Sequence, residues 1–145
     1  MLFIVYSQVS EEQLKQSLGM PEYSYYFVLR GFLPVLRELG KVVVVKNPEQ
    51  EVDAIYDDCL KRGEDCVFLT FSPPNKSAIG LRCPTVCVFA WEFDRIPDEV
   101  WDGDMKNDWR NVFMDHGRAI TLSQYSANAV KKAMGPDFHV ASIPV

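Results

Sequence analysis

The order of apolar runs along this chain predicts an α/β domain, three layers deep, with a mostly parallel sheet of about six strands. Three observations lead there. Short runs rich in valine, isoleucine and phenylalanine alternate with segments whose apolar residues fall at helical spacing. Several of those runs are apolar at consecutive positions, the pattern of strands covered on both faces by crossover helices. Helix-ending glycines stand where the amphipathic segments stop: Gly40, Gly63, Gly117 and Gly135.

The elements follow in order. Leu2–Tyr6 reads as a strand, and Ser7–Ser17 as a polar segment after it. Tyr23–Leu39 carries Phe27, Phe32, Val35, Leu36 and Leu39 at helical spacing, with Pro34 predicting a kink. Lys41–Val45, a lysine and four valines, predicts a strand buried on both faces. Glu49–Arg62 places Val52, Ile55, Tyr56, Cys59 and Leu60 on one side of a helix. Cys66–Phe71 is the next strand, broken by Ser72-Pro73-Pro74-Asn75, and Lys76–Leu81 is a short helix or turn. Val86–Phe89 is a strand, Met105–His116 a helix, Arg118–Leu122 a strand, Gln124–Met134 a helix and His139–Ile143 a last strand.

With 145 residues the chain has room for one domain with a proper core, so residues 1–145 read as a single domain. Apolar residues at 48% and charged residues at 24% are ordinary for a globular protein. A formal charge of −5 and a pI near 5.0 argue against nucleic acid and other polyphosphate partners, since no net basic field draws them in. No apolar run approaches the roughly 20 residues of a membrane span, and Met1–Tyr6 lacks the flanks of a signal peptide; the expected location is the cytoplasm. Cys59, Cys66, Cys83 and Cys87 contain no C-x-x-C pair, and His116 and His139 lie far from them in sequence. Buried thiols are therefore expected, with no metal site and no cofactor.

The stretch with the most chemistry is Phe89 to Trp101, containing Trp91-Glu92-Phe93-Asp94-Arg95. It follows a predicted strand directly, and the C-terminal ends of strands are where open α/β sheets collect ligands. Glu92 is the candidate catalytic residue: a carboxylate there can hydrogen-bond a hydroxyl or take its proton. Trp91 and Trp101 can stack on a ligand or fill space, and Arg95 and Asp94 are polar neighbours. Ser7 and Gln8 after the first strand, Ser72 and Asn75 after the third, and Ser123 and Tyr125 after the fifth are further candidates for substrate binding. Ser123 and Ser126 also suit helix N-caps. No G-x-S-x-G elbow, G-x-x-x-x-G-K-[ST] loop or G-x-G-x-x-G fingerprint is present, so hydrolase and nucleotide-kinase readings lack their motifs.

Taken in order, Trp91-Glu92, Pro97, Trp101, the run Ala119–Leu122 into Ser123-Gln124-Tyr125-Ser126, and Val140-Ala141-Ser142-Ile143-Pro144-Val145 resemble the N-terminal domain of glycosyltransferases with two Rossmann-like domains. This is the GT-B group that includes many mannosyl- and glucosyltransferases of polysaccharide biosynthesis. The resemblance covers residues 66–145 well and 1–65 in general shape only. It implies a Rossmann-like three-layer fold and an acceptor-side half of a longer enzyme. It further implies transfer of a sugar from a nucleotide-diphosphate donor to a glycan or lipid-linked acceptor. Glu92 would be catalytic, with Ser7, Gln8, Ser72, Asn75, Trp91, Arg95, Ser123 and Tyr125 contacting the acceptor. Partners would be a sugar acceptor, a nucleotide sugar held by a C-terminal domain outside this chain, and a membrane surface approached peripherally by the full-length protein. Two departures stand out: Tyr6-Ser7-Gln8-Val9 replaces the glycine-rich loop after the first strand, and the donor-binding half is not in this sequence. The isolated chain is accordingly expected to be inactive. The alternative is a stand-alone doubly wound binding or interaction domain without catalysis.

Overall fold

The computed structural model describes residues 1–8 and 23–144; the polar segment predicted after the first strand lies, beyond Gln8, outside them. Six strands form one sheet: β1 (Leu2–Ser7), β2 (Lys41–Val44), β3 (Cys66–Phe71), β4 (Thr85–Phe89), β5 (Arg118–Thr121) and β6 (His139–Ser142). Their order is β2-β1-β3-β4-β5-β6 and every pairing is parallel. Helices α1 (Tyr23–Leu39), α2 (Pro48–Arg62), α3 (Trp109–His116) and α4 (Gln124–Met134) make the crossovers, with 3₁₀ turns at Pro74–Lys76 and Met105–Asn107.

Side-chain alternation along each strand divides the core between the two faces. Phe3, Val5, Leu69 and Phe71 face α1, which covers them with Tyr25, Leu29 and Leu36, and Phe32 meets Phe71 edge-on at 5.4 Å. Leu2, Ile4 and Phe68 face the other way, onto Val52 and Cys59 of α2. Register carries that second face across the sheet, because Phe68 and Thr70 lie opposite Thr85 and Cys87. Phe89 therefore points to the same side, where it meets Trp109 and Phe113 of α3 at 5.7 and 5.5 Å. Thr121 of β5 hydrogen-bonds Ser126 of α4 there (2.6 Å). Among the described residues, one helix thus covers one face and three cover the other, as right-handed crossovers require when the chain winds outward in both directions from β1.

Three local expectations change. Lys41–Val45 is not buried on both faces. It is the sheet's edge, paired to β1 alone, so Val42 and Val43 are half-buried and Val44 is 62% exposed. Consecutive valines cannot distinguish an edge from a centre, because strand order is a long-range choice. Met105–His116 is not one helix. The chain turns at Asp108, whose carboxylate accepts from the Arg110 N–H (3.1 Å) and starts α3 afresh. The short element after β3 lies at Pro74–Lys76 rather than Lys76–Leu81, since Pro74 favours the first position of a helical turn.

The long β3–β4 crossover is tied down at both ends. Asp53 of α2 accepts from the backbone N–H groups of Arg82 and Cys83 (3.0 and 3.1 Å), and Asp57 pairs with the Arg82 guanidinium. Asp115 of α3 accepts from Gly80 N–H (3.1 Å), and His116 Nε2 donates to the Ala78 carbonyl (2.9 Å). All four cysteines are free and buried, as the missing C-x-x-C spacing predicts. Burial pushes the Cys87 thiol up to about 12 and Cys83 up to about 11, which keeps both protonated.

Candidate functional site

Because every strand is parallel, the strand-to-helix turns all emerge at one edge. The ends of β1, β3, β4 and β5 (Ser7, Phe71, Phe89 and Thr121) are there, so residues wide apart in sequence share a rim. Strand order reverses beside β1. The chain leaves β1 towards α1 on one face and leaves β2 and β3 towards the other, which opens the crevice in which such sheets bind ligands.

Two cavities open along this rim. One of about 230 Å³ is bounded by Tyr6, Lys46, Asn47, Pro48, Glu49, Gln50, Lys76 and Ala78. The other, about 500 Å³, is bounded by Asn75, Lys76, Trp101, Asp102, Asp104, Lys106 and Asn107. Lys76 borders both, and among the described residues its amine has no partner. The chain entering α2 beside the first cavity is pinned by Glu51, which accepts from the N–H groups of Lys46 and Asn47 (2.9 and 2.6 Å). Partial burial raises the Tyr6 pKa, so its phenol enters this rim as a neutral hydrogen-bonding group.

The second cavity owes its shape to a tight turn. Asp102 and Gly103 both have left-handed backbones (φ 53° and 67°), and the Trp101–Asp104 bridge closes the hairpin around them. Glycine adopts this conformation freely and aspartate tolerates it. The turn lifts Trp101 out of the core, leaving it 45% exposed. Asn107 fixes the turn from below, donating to the Trp101 carbonyl (2.7 Å) while its own carbonyl accepts from Asn75 (3.3 Å). Lys106 donates to the Ser77 carbonyl (3.3 Å).

Each predicted site residue has a definite place. Glu92 is exposed just past β4, and no hydrogen bond or ion pair occupies its carboxylate among the described residues. Trp91 is half-buried and committed to packing: its ring meets Trp109 at 4.6 Å and Phe93 at 5.1 Å, and its indole N–H donates to the Arg95 carbonyl (2.8 Å). Arg95 turns outward, 73% exposed and 3.8 Å from Asp98, into a cavity that shares no residue with the two above. Ser72 is buried, with its hydroxyl between those of Thr70 (3.1 Å) and Ser77 (2.9 Å), so it serves the fold. Asn75 lines the second rim cavity. Ser123 is the N-cap of α4, accepting from Ser126 N–H (3.1 Å), while Tyr125 stands 56% exposed. Ser7 ends β1 beside Phe71. Gln8 follows it, and its buried Oε1 has no donor among the described residues. A buried acceptor left alone costs about 1–3 kcal/mol, and Gln8 lines none of these cavities.

Sequence reasoning did not pick out Lys46, Lys76, Asp102, Asp104, Lys106 or Asn107 as lining residues. The Asp102-Gly103 pair was the available signal, since Asp-Gly marks tight hairpin turns. The two rim cavities offer amide and phenol groups, an exposed indole face and unpaired lysine amines, and the free carboxylate of Glu92 lies past β4 on the same edge, lining neither cavity. That set suits a polar ligand rich in hydroxyls.

Sheet order, helix placement and the position of this rim define a Rossmann-like α/β protein. No known protein family, curated protein or solved structure matches the chain. No described helix is long and apolar enough to cross a membrane.

Proposed function

We propose that the chain is the acceptor-side domain of a two-domain glycosyltransferase, with a second Rossmann-like domain supplying the nucleotide sugar. The observation that carries this reading is the Trp91-Glu92 pair at the C-terminal end of β4: a packed indole fixes the loop, and the carboxylate after it is exposed and unengaged. In this role Glu92 takes the proton of an acceptor hydroxyl as that oxygen bonds to the anomeric carbon. The nucleoside diphosphate leaves with the electrons of the broken bond. Asn75 and Trp101 hold the acceptor by hydrogen bonds and ring contact. Ser7 and Tyr125 line the approach, and Ser72 and Ser123 support the turns from within.

The test is a titration of the chain, followed by ¹H–¹⁵N correlation spectra, with a panel of mono- and oligosaccharides and separately with nucleotide sugars. Sugars should shift the amides of residues 90–93 and 101–107, and nucleotide sugars should bind no better than the sugars they carry. Strong binding of the nucleotide part, or no response to any sugar, overturns the proposal. Strong nucleotide binding would favour a stand-alone binding domain.

A further inference from the structure

A third cavity, of about 360 Å³, lies between α3, α4 and the chain leaving β4. It is bounded by Arg95, Ile96, Asp98, Arg110, Ala129, Lys132 and Ala133. Its chemistry differs from that of the rim. Three cations and one carboxylate, Asp98, line it in a chain whose net charge is −5; with Arg110 also paired to Asp108 at 2.8 Å, one positive charge is left over. Ile96 and Ala129 are buried beneath them and supply an apolar floor, and the small side chains of Ala129 and Ala133 leave the space open.

One of the cations is held in place through its side chain and one through its backbone. The indole N–H of Trp91 anchors the Arg95 backbone (2.8 Å). Arg110 is fixed by Asp108, which accepts from Nε (3.0 Å) and Nη2 (2.8 Å), and Nη2 also donates to the Asp98 carbonyl (3.1 Å). Nη1 of Arg110 and the Lys132 amine have no partner among the described residues, and Arg95 has only the long 3.8 Å pairing with Asp98. One positioned guanidinium and two exposed, unfilled cations, above an apolar floor, fit a compact anion attached to a small organic body. Guanidinium forks match the oxygens of a phosphate group, and a lysine amine adds a mobile point charge.

We propose that this cavity binds a phosphate monoester, with Arg95, Arg110 and Lys132 on the phosphate and Ile96, Ala129 and Ala133 against the ester's organic part. The site stands independently of whether the domain handles sugars. The acidic net charge does not oppose it. Long-range repulsion excludes extended polyanions, whereas screening over about 8–10 Å leaves a small anion to respond to the nearest charges.

The test titrates the chain with glucose 6-phosphate, glucose and inorganic phosphate, again followed by amide spectra. Glucose 6-phosphate should shift residues 95–98, 110 and 129–133, and glucose should not. Lys132→Met and Arg95→Gln should each weaken binding by roughly ten-fold, the scale of one charge-assisted hydrogen bond. Both side chains are exposed, so the fold should survive either change. Co-sedimentation with vesicles of phosphatidic acid against phosphatidylcholine distinguishes a lipid headgroup from a soluble ester as the source, and binding in either arm supports the site. No shift with any phosphate probe, or a shift indifferent to both substitutions, overturns it. Inorganic phosphate binding as tightly as glucose 6-phosphate overturns the role of the apolar floor.

Discussion

The turns leaving β3 and β4 start from neighbouring parallel strands at the same edge, yet they treat their polar residues in opposite ways. After β3, Thr70, Ser72, Ser77 and Cys87 bond to one another in a buried chain, with distances between 2.9 and 3.3 Å. After β4, Glu92, Phe93 and Asp94 are exposed, and the loop is held by Trp91 beneath them. The cause is where each loop travels. The first turns back beneath α3, so each hydroxyl must find an internal partner or leave a buried polar group unpaired. The second starts outward on an aromatic anchor and leaves its carboxylates to solvent. A polar residue at a strand end is therefore informative about function only once its burial is known.

Two substitutions break the comparison most directly. In an enzyme joining this domain to a donor-binding one, Glu92→Gln should lower transfer by about 10²-fold or more, the usual contribution of a general base. The melting temperature should stay put, because the side chain supports nothing. Unchanged turnover in initial-rate assays would reduce Glu92 to a surface residue.

Ser72→Ala should do the reverse. It leaves the Thr70 and Ser77 hydroxyls each short of a partner and should cost about 1–3 kcal/mol in urea unfolding, with sugar binding intact in the folded fraction. A neutral result would mean that the buried hydroxyl chain contributes no net stability.

The smallest effect sharpens the same contrast through pH. Burial lowers the His116 pKa, outweighing the Ala78 carbonyl and the Asp115 charge that favour protonation. The unfolded chain therefore binds the proton more readily. The stability from the neutral ring is complete above the unfolded value near 6.5, and it is lost as pH falls from there through the lower folded pKa. Urea midpoints between pH 7.5 and 5 should show this decline, and His116→Gln should flatten it. A decline unchanged by the substitution would place its origin in other groups.

Much of the scaffold was readable because it rests on local physics. Gly63 and Gly117 end α2 and α3 with left-handed backbones, as their positions after amphipathic runs predict. Gln124–Met134 is helical over the predicted span, with Ser123 as its cap. Residues 66–71 and 86–89 are buried strands because continuous apolar side chains satisfy helices on both faces. The rim was harder to read. Glu92, Asn75 and Tyr125 were placed at it by strand direction alone, but nothing in the residue types of Ser72 and Glu92 says that one is buried and the other free.

By itself, then, the order of residues determined the alternation of strands and helices, the parallel sheet and the edge at which its loops emerge. Those features follow from periodicity, capping and the handedness of crossovers, which act over a few residues or a single unit. Only the tertiary structure decided that the valine run is an edge, that Ser72 is spent internally, and that Arg95, Arg110 and Lys132 meet in one cavity. Each of these depends on which distant segments come to lie side by side, and charge and burial are properties of that arrangement rather than of any residue alone.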